Sequence, residues 1–307
     1  MALPGAITSL RPQASKQPKR GEPSGNASRQ RLKEYYAMAE QQEQPFANYL
    51  HVVDILLTGL PSSKRQEIHR ELFAHLEDAA SERGLSTADL DLQREVIVSL
   101  GSGITLGEEL YKAHRRPDYT KRIFDICLAT FFLLLLSPLL ALIALLIKLD
   151  SPGPVFYRST QVGRDGRRFK LYAFRTMNCW QDTALSTELP ANARITRIGH
   201  FLRNTLLDEL PRLLNVLRGD MSLIGHLPTQ AREISFDDPR WRRVLLERPG
   251  ISSSCLIANG LGFRYFGNRS VDELESNMEY LKYRSFRYDL YLIGRTLALV
   301  WQQWQKS

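Results

Sequence analysis

Residues 121–148 read KRIFDICLATFFLLLLSPLLALIALLIK, an apolar run from Ile123 to Ile147 interrupted only by Asp125, Thr130, Ser137 and Pro138. A hydrocarbon core of about 30 Å takes roughly 20 helical residues, so the run is long enough to enter a bilayer. Pro138 falls near its middle, where it deletes a backbone hydrogen bond and its ring clashes with the preceding turn, which predicts a break. Ser137 can bond a carbonyl freed by that break, a group that is costly to leave open in lipid. Both flanks are basic: Arg115, Arg116, Lys121 and Arg122 precede the run, and Lys148, Arg158, Arg164, Arg167, Arg168 and Lys170 follow it. The positive-inside rule then places both ends in the cytoplasm. A membrane helix over 121–149 that enters, turns at Ser137-Pro138 and returns satisfies both observations, with a straight spanning helix as the alternative.

Outward from this run, the 307 residues leave room for a medium domain and a smaller module. The formal charge of +8 calls for an anionic partner, and its concentration beside an apolar segment speaks for lipid or phosphorylated substrates and against nucleic acid. Cys127, Cys179 and Cys255 form no C-x-x-C pair, so neither a disulfide framework nor a zinc knuckle is indicated. No apolar stretch follows the N-terminal charges as in a cleaved signal peptide. Residues 1–30, rich in Pro, Gly, Ser, Gln and basic side chains, read as a disordered tail. Residues 31–116 read as a small all-α module of three or so helices: Ile68, Leu72, Leu76 and Ala79 form an apolar stripe, Pro61-Ser62-Ser63 a start, Gly84 a stop, and Ser86 with Asp89 a second start. The stretch from Leu60-Pro61 to Glu77-Asp78 loosely resembles HAAS-type helical modules. His69 and His75, six apart, do not share a helical face as a ligand pair would.

Downstream, the stretch from Leu206 to Leu217 reads as an amphipathic helix with Asp208 near its first turn, Pro211 where a missing N–H is tolerated and Gly219 just past its end. A helix N-terminus favours phosphate and keeps a carboxylate ionised. Adjacent carboxylates on a helix point about 100° apart, which suits Asp208 and Glu209 to two separate jobs.

A series of motifs surrounds this pair: Asp150-Ser151-Pro152-Gly153-Pro154, Gln161-Val162-Gly163-Arg164-Asp165-Gly166, Phe174-Arg175-Thr176-Met177, Arg203-Asn204-Thr205-Leu206-Leu207-Asp208-Glu209-Leu210-Pro211, Gly219-Asp220-Met221-Ser222-Leu223-Ile224-Gly225 and Arg248-Pro249-Gly250-Ile251. In this order they resemble the bacterial sugar transferase family, the monotopic polyprenyl-phosphate phosphoglycosyl transferases, from about Tyr119 to the C-terminus. The resemblance implies an α/β catalytic domain over 117–307, anchored by the re-entrant helix on the cytoplasmic face of the bacterial inner membrane. It implies a ping-pong transfer of sugar-1-phosphate from a nucleotide diphosphate sugar to polyprenyl phosphate, initiating cell-surface glycan, exopolysaccharide or lipopolysaccharide assembly. Asp208 would be the nucleophile, Glu209 and Asp289 would hold Mg²⁺, and Arg175, Arg203 and Arg248 would meet phosphate. The bilayer, and other copies or glycan-assembly proteins, are the further expected partners.

Two loops depart from the family pattern. Gly225-His226-Leu227-Pro228 stands where Gly-Pro-Arg-Pro is usual, and Ser252-Ser253-Ser254-Cys255-Leu256 replaces a Thr-Gly stretch followed by an aromatic residue and a Gln. They admit a rival reading, a non-catalytic homologue acting as an assembly or regulatory partner. His226 offers a partial substitute for the lost donor or is a plain loop residue. The C-terminal Tyr283–Trp304 segment, mixing Tyr288, Tyr291, Trp301 and Trp304 with Arg284, Arg287 and Arg295, suits the headgroup layer or core packing.

Overall fold

Helices dominate the computed structural model, which describes residues 45–82, 89–178, 195–259 and 273–306. The expected tail, Gly84, Ser86 and Cys179 lie outside these residues. The chain forms two units, one containing residues up to Arg116 together with Phe236–Arg243, the other containing Pro117–Ser235 and Val244–Ser307.

Among its described residues the first unit holds α1 (Pro45–Leu56), α2 (Ser62–Glu82), α3 (Leu90–Leu100) and α4 (Gly103–His114). Helix α2 begins at the Pro-Ser-Ser signal, and the Asp89 carboxylate caps α3 by accepting from the Asp91 and Leu92 amides. Phe46, Leu50, Val53 and Leu56 of α1 are buried with Leu72 and Leu76 of α2, Leu92 and Val96 of α3, and Leu110 and Tyr111 of α4. Gly107 is required by close approach, since a Cβ there would meet Leu56 Cδ1 at 2.6 Å. His69 is a packing residue, its Nε2 3.4 Å from the Asp54 carboxylate.

In the second unit, α5 (Tyr119–Leu135) and α6 (Ser137–Asp150) meet at a 61° bend. The break falls at Leu136, directly before Ser137-Pro138, and the Ser137 hydroxyl donates to the Leu134 carbonyl at 2.8 Å. Among the described residues no single helix is long and apolar enough to cross a membrane, whereas this bent pair passes that test by length and composition. Ile123, Phe131, Leu134 and Leu135 of α5 and Leu142, Leu145 and Leu149 of α6 are exposed, while Lys121, Asp125 and Ala129 are buried along one side of α5, and Ile143 and Ile147 along one side of α6. So large an outward apolar surface marks a face built for something other than water.

The polar positions on α5 explain how it is held. Arg122 donates to the Val216, Leu217 and Met221 carbonyls, Asp125 accepts from Ser222 Oγ at 2.7 Å and the Leu223 amide at 3.3 Å, and Lys121 Nζ donates to Ile224 O at 3.1 Å.

The α/β expectation needs correction in its proportions. Among the described residues the strands form two small sheets: β1 (Phe156–Val162) and β2 (Arg168–Phe174) pair antiparallel, with Phe156 opposite Phe174 and Val162 opposite Arg168, and β3 (Ser222–Ile224) pairs parallel with β4 (Gly250–Ser252). Asp165 and Gly166, both at positive φ, make the β1–β2 turn. Strands of three residues add few ladder bonds, so the helices between and after them carry the packing: α7 (Arg197–Thr205), α8 (Arg212–Arg218), α9 (Pro239–Leu245), α10 (Ser254–Asn259), α11 (Glu273–Tyr283) and α12 (Phe286–Lys306).

The parallel pairing of β3 with β4 requires a crossover, and part of that crossover belongs to the first unit. Arg243 is 1% exposed, donates from Nε to Thr58 O at 2.7 Å and lies 3.9 Å from the Tyr111 ring centroid. Arg242 pairs with Glu108 at 2.6 Å. The segment Phe236–Arg243 thus departs from the continuous 117–307 unit that the sequence suggests.

Candidate active site

The Asp208-Glu209 pair sits in a 3₁₀ turn, Leu207–Glu209, between α7 and α8. This corrects the expected continuous helix from Leu206. Helix α7 opens with Thr196 Oγ1 accepting from the Gly199 amide at 2.9 Å and closes at Leu206, which adopts φ 59° and ψ 15°. Left-handed geometry stops the helix there. An α-helix continued through Leu206 would also drive the Pro211 ring into the Leu207 carbonyl four residues back. The chain instead tightens, with Glu209 N donating to Leu206 O at 3.2 Å and Leu210 N to Leu207 O at 3.3 Å, and α8 begins after Pro211.

The leucines of this short stretch fix the turn, each in a different apolar cluster. Leu206 packs against the cluster of Leu227, Cys255 and Leu256, which Leu299 and Val300 of α12 also cover. Leu207 packs with Ile143 and Ile147 of α6, Phe174 of β2 and Leu202 of α7. Leu210 packs with Ala129 and its neighbours on α5, and with Leu171, Leu213 and Met221. The two carboxylates therefore lie on a turn wedged between both limbs of the bent helix pair.

Asp208 and Glu209 are each 6% exposed, and carboxylates this buried need cationic or hydrogen-bonding partners. Arg212 Nη2 supplies one, 3.0 Å from Glu209 Oε1. Sequence reading passed over Arg212, although an acid followed three residues later by a base is a helix-spacing pair. It also passed over Asp125 and Lys121 as anchors.

The other expected site residues have diverse placements. Arg203 belongs to α7 and donates from Nε to Thr176 Oγ1 at 2.9 Å, tying the helix that feeds the turn to the chain just beyond β2. Gly199 permits that approach, because a Cβ there would come within 2.1 Å of Thr176 O. Arg248 donates from Nε to Gly219 O at 2.9 Å, at the C-cap of α8. Arg175, expected to bind phosphate, lies against the end of α6. It is 3% exposed, and its guanidinium donates to the carbonyls of Ile147, Ser151 and Pro152 and to Ser151 Oγ, at and just beyond the C-terminal end of α6. A fixed cation there complements the negative end of the helix dipole.

Asp289 is likewise engaged elsewhere. Its carboxylate takes the Lys121 ammonium on one oxygen and the Tyr280 hydroxyl, at 2.7 Å, on the other. Burial and the adjacent Asp289 charge hold the Tyr280 phenol well above its ordinary range. These bonds tie Asp289 to the root of α5.

Among the described residues no group of three or more His, Cys, Asp or Glu could hold a metal ion. Mg²⁺ needs no such cage, because it commonly uses one or two carboxylates and takes its remaining ligands from water and substrate phosphate. The hard oxygens of Asp208 and Glu209 fit that requirement, while Asp289, the other expected ligand, is bonded to Lys121 and Tyr280.

The two departing loops meet each other. Leu227 of the first packs on Cys255 and Leu256 of the second. His226 is buried, with Nδ1 3.0 Å from Leu227 O, and burial holds its pKa below the ordinary histidine value. The ring is therefore neutral near pH 7 and supplies no cation.

The sequence pattern of the bacterial sugar transferases matches residues 116–303 of this chain. The chain belongs to the bacterial sugar transferase family. Within it, the chain is 36% identical over 185 residues to UDP-glucose:undecaprenyl-phosphate glucose-1-phosphate transferase of Escherichia coli, covering 58% of this chain and 39% of that protein. It is 36% identical over 188 residues to a Caulobacter vibrioides protein of the same name, covering 59% and 69%. It is 32% identical over 218 residues to the exopolysaccharide production protein ExoY of Rhizobium meliloti, covering 66% and 94%. The chain thus spans well under half of the Escherichia coli relative and nearly all of the Rhizobium one.

Proposed function

We propose that this member of the family transfers sugar-1-phosphate from a UDP-sugar to a polyprenyl phosphate at the cytoplasmic face of the inner membrane. The observation that supports this reading best is the wedging of the Asp208-Glu209 turn between the limbs of the bent helix pair, through Leu207 on one side and Leu210 on the other. Carboxylates so placed serve a soluble donor and a lipid acceptor that must meet at one bilayer surface. The exposed leucines of α5 and α6 would enter the acyl layer as a re-entrant hairpin and return the chain at Ser137-Pro138.

In the first half-reaction an Asp208 carboxylate oxygen attacks the β-phosphorus, forming a P–O bond to the protein as the anhydride P–O bond breaks and UMP leaves. In the second, an oxygen of the lipid phosphate attacks the same phosphorus and returns Asp208 as the free carboxylate. Asp208 and Glu209 are the residues that would hold Mg²⁺, whose contribution when bound is neutralisation of the diphosphate charge. Arg212 fixes Glu209 beside the nucleophile, and Arg203 fixes the helix that delivers it.

Asp208→Asn preserves side-chain volume and removes the nucleophile. Membranes carrying the wild type should release UMP up to one equivalent per chain from a UDP-sugar without acceptor, and retain labelled sugar phosphate on the protein. The Asn variant should do neither while staying folded and membrane-bound. Normal turnover by the Asn variant would refute the assignment. Inactivity of the wild type with every UDP-sugar offered would favour a non-catalytic assembly partner.

A further inference from the structure

Leu206 precedes the catalytic pair by only two residues and is, with Asp165, one of two non-glycine residues at positive φ among the described residues. Asp165 lies in a hairpin turn and is of a type that tolerates this region, whereas Leu is not. A strained residue persists where its surroundings over-determine it, and those of Leu206 can be named. It packs against a cluster of Leu227 from one departing loop and Cys255 and Leu256 from the other. Its carbonyl also accepts the Glu209 amide. The backbone of Leu206 thus ends α7, starts the 3₁₀ turn and sets the direction in which Asp208 and Glu209 leave it.

We propose that Leu206 is a positioning residue, a left-handed hinge whose backbone direction, set where the chain crosses the cluster joining the two altered loops, holds Asp208 in its attacking orientation. The inference rests on the proposed transfer reaction for its catalytic consequence, and on geometry alone for the strain. The side chain contributes packing and the backbone contributes direction, and the two make opposite predictions for a substitution series. If packing alone matters, Val exceeds Ala and Ala exceeds Gly. If the left-handed backbone decides, the order reverses, because Gly adopts this conformation freely and a β-branched residue least of all.

The test uses Leu206→Gly, Leu206→Ala and Leu206→Val in the full chain in membranes or nanodiscs, with two readouts. Thermal unfolding should rank Gly above Ala above Val. Acceptor-free UMP release should follow the same order, with Gly about fivefold faster than Ala, Ala about fivefold faster than Val and the donor KM within about twofold throughout, since the difference lies in backbone preference. Rescue by the smallest side chain is a result that a merely structural role would not give. Ranking by side-chain volume in either readout overturns the hinge. If wild type releases no UMP from any UDP-sugar, the transfer reading and the positioning role fall together, and the thermal order alone then decides whether Leu206 is strained.

Discussion

The two limbs of the bent helix pair are similarly apolar but are held to the rest of their unit by opposite means. Helix α5 carries its own anchors: Lys121, Arg122 and Asp125 reach out to Asp289, to the end of α8 and to β3. Helix α6 bears polar contacts of its own in its last turn, Lys148 donating to Gly153 O and Asp150 accepting from the Ile198 amide, and is otherwise gripped from outside, by Arg175 on its C-terminal carbonyls and by Leu207 and Phe174 against Ile143 and Ile147. Anchors that lie within an apolar run show up as interruptions of it, whereas an anchor that arrives from a distant strand carries no local mark. Arg175 therefore carried no mark in the sequence of its bonds to a helix end.

The sharpest test of this contrast is Lys121→Met, which leaves the buried Asp289 without its cation. Breaking such a pair from one side should cost about 3–5 kcal/mol, seen as a lowered unfolding midpoint in nanodiscs. Adding Asp289→Leu should recover much of the loss. Next in size, Arg175→Met should cost about 1.5–3 kcal/mol through lost charge-assisted bonds to the α6 carbonyls, and Arg175→Lys should restore only part because a single ammonium cannot span the same acceptors. Should Arg175→Met keep full stability and raise only the donor KM, the residue is a substrate ligand and the contrast between the limbs collapses. Least affected will be Leu145→Ser on the exposed side of α6, within about 0.5 kcal/mol in detergent, yet flotation with anionic vesicles should weaken measurably. Unchanged flotation would count against insertion of that face.

Which features were legible follows from the range of the forces involved. The break before Ser137-Pro138 was readable because a proline acts on its own preceding turn, and the starts of α2 and α3 because caps bond within three residues. The motif around Asp208-Glu209 located the carboxylates but not their conformation, since Leu206 at the left-handed turn packs against Leu227, Cys255 and Leu256, all remote in sequence. Asp289 was read as a metal ligand, and its partner Lys121, 168 positions away, could not be paired with it from spacing. The α/β expectation overestimated the sheets because the short segments at Ser222 and Gly250 have strand composition without strand length.

The burial of Arg243 against Thr58 and Tyr111 bears on how such an enzyme can be rearranged by recombination. The chain leaves the larger unit at Phe236 and returns at Val244, so the helical module is stitched in at a loop as well as at its own C-terminal end. A fragment begun at Pro117 would carry a guanidinium shaped for an aromatic face that is no longer present. Exchange of the module between relatives therefore succeeds only when residues 236–243 travel with it, which makes that loop a portable half of a lock whose other half lies upstream.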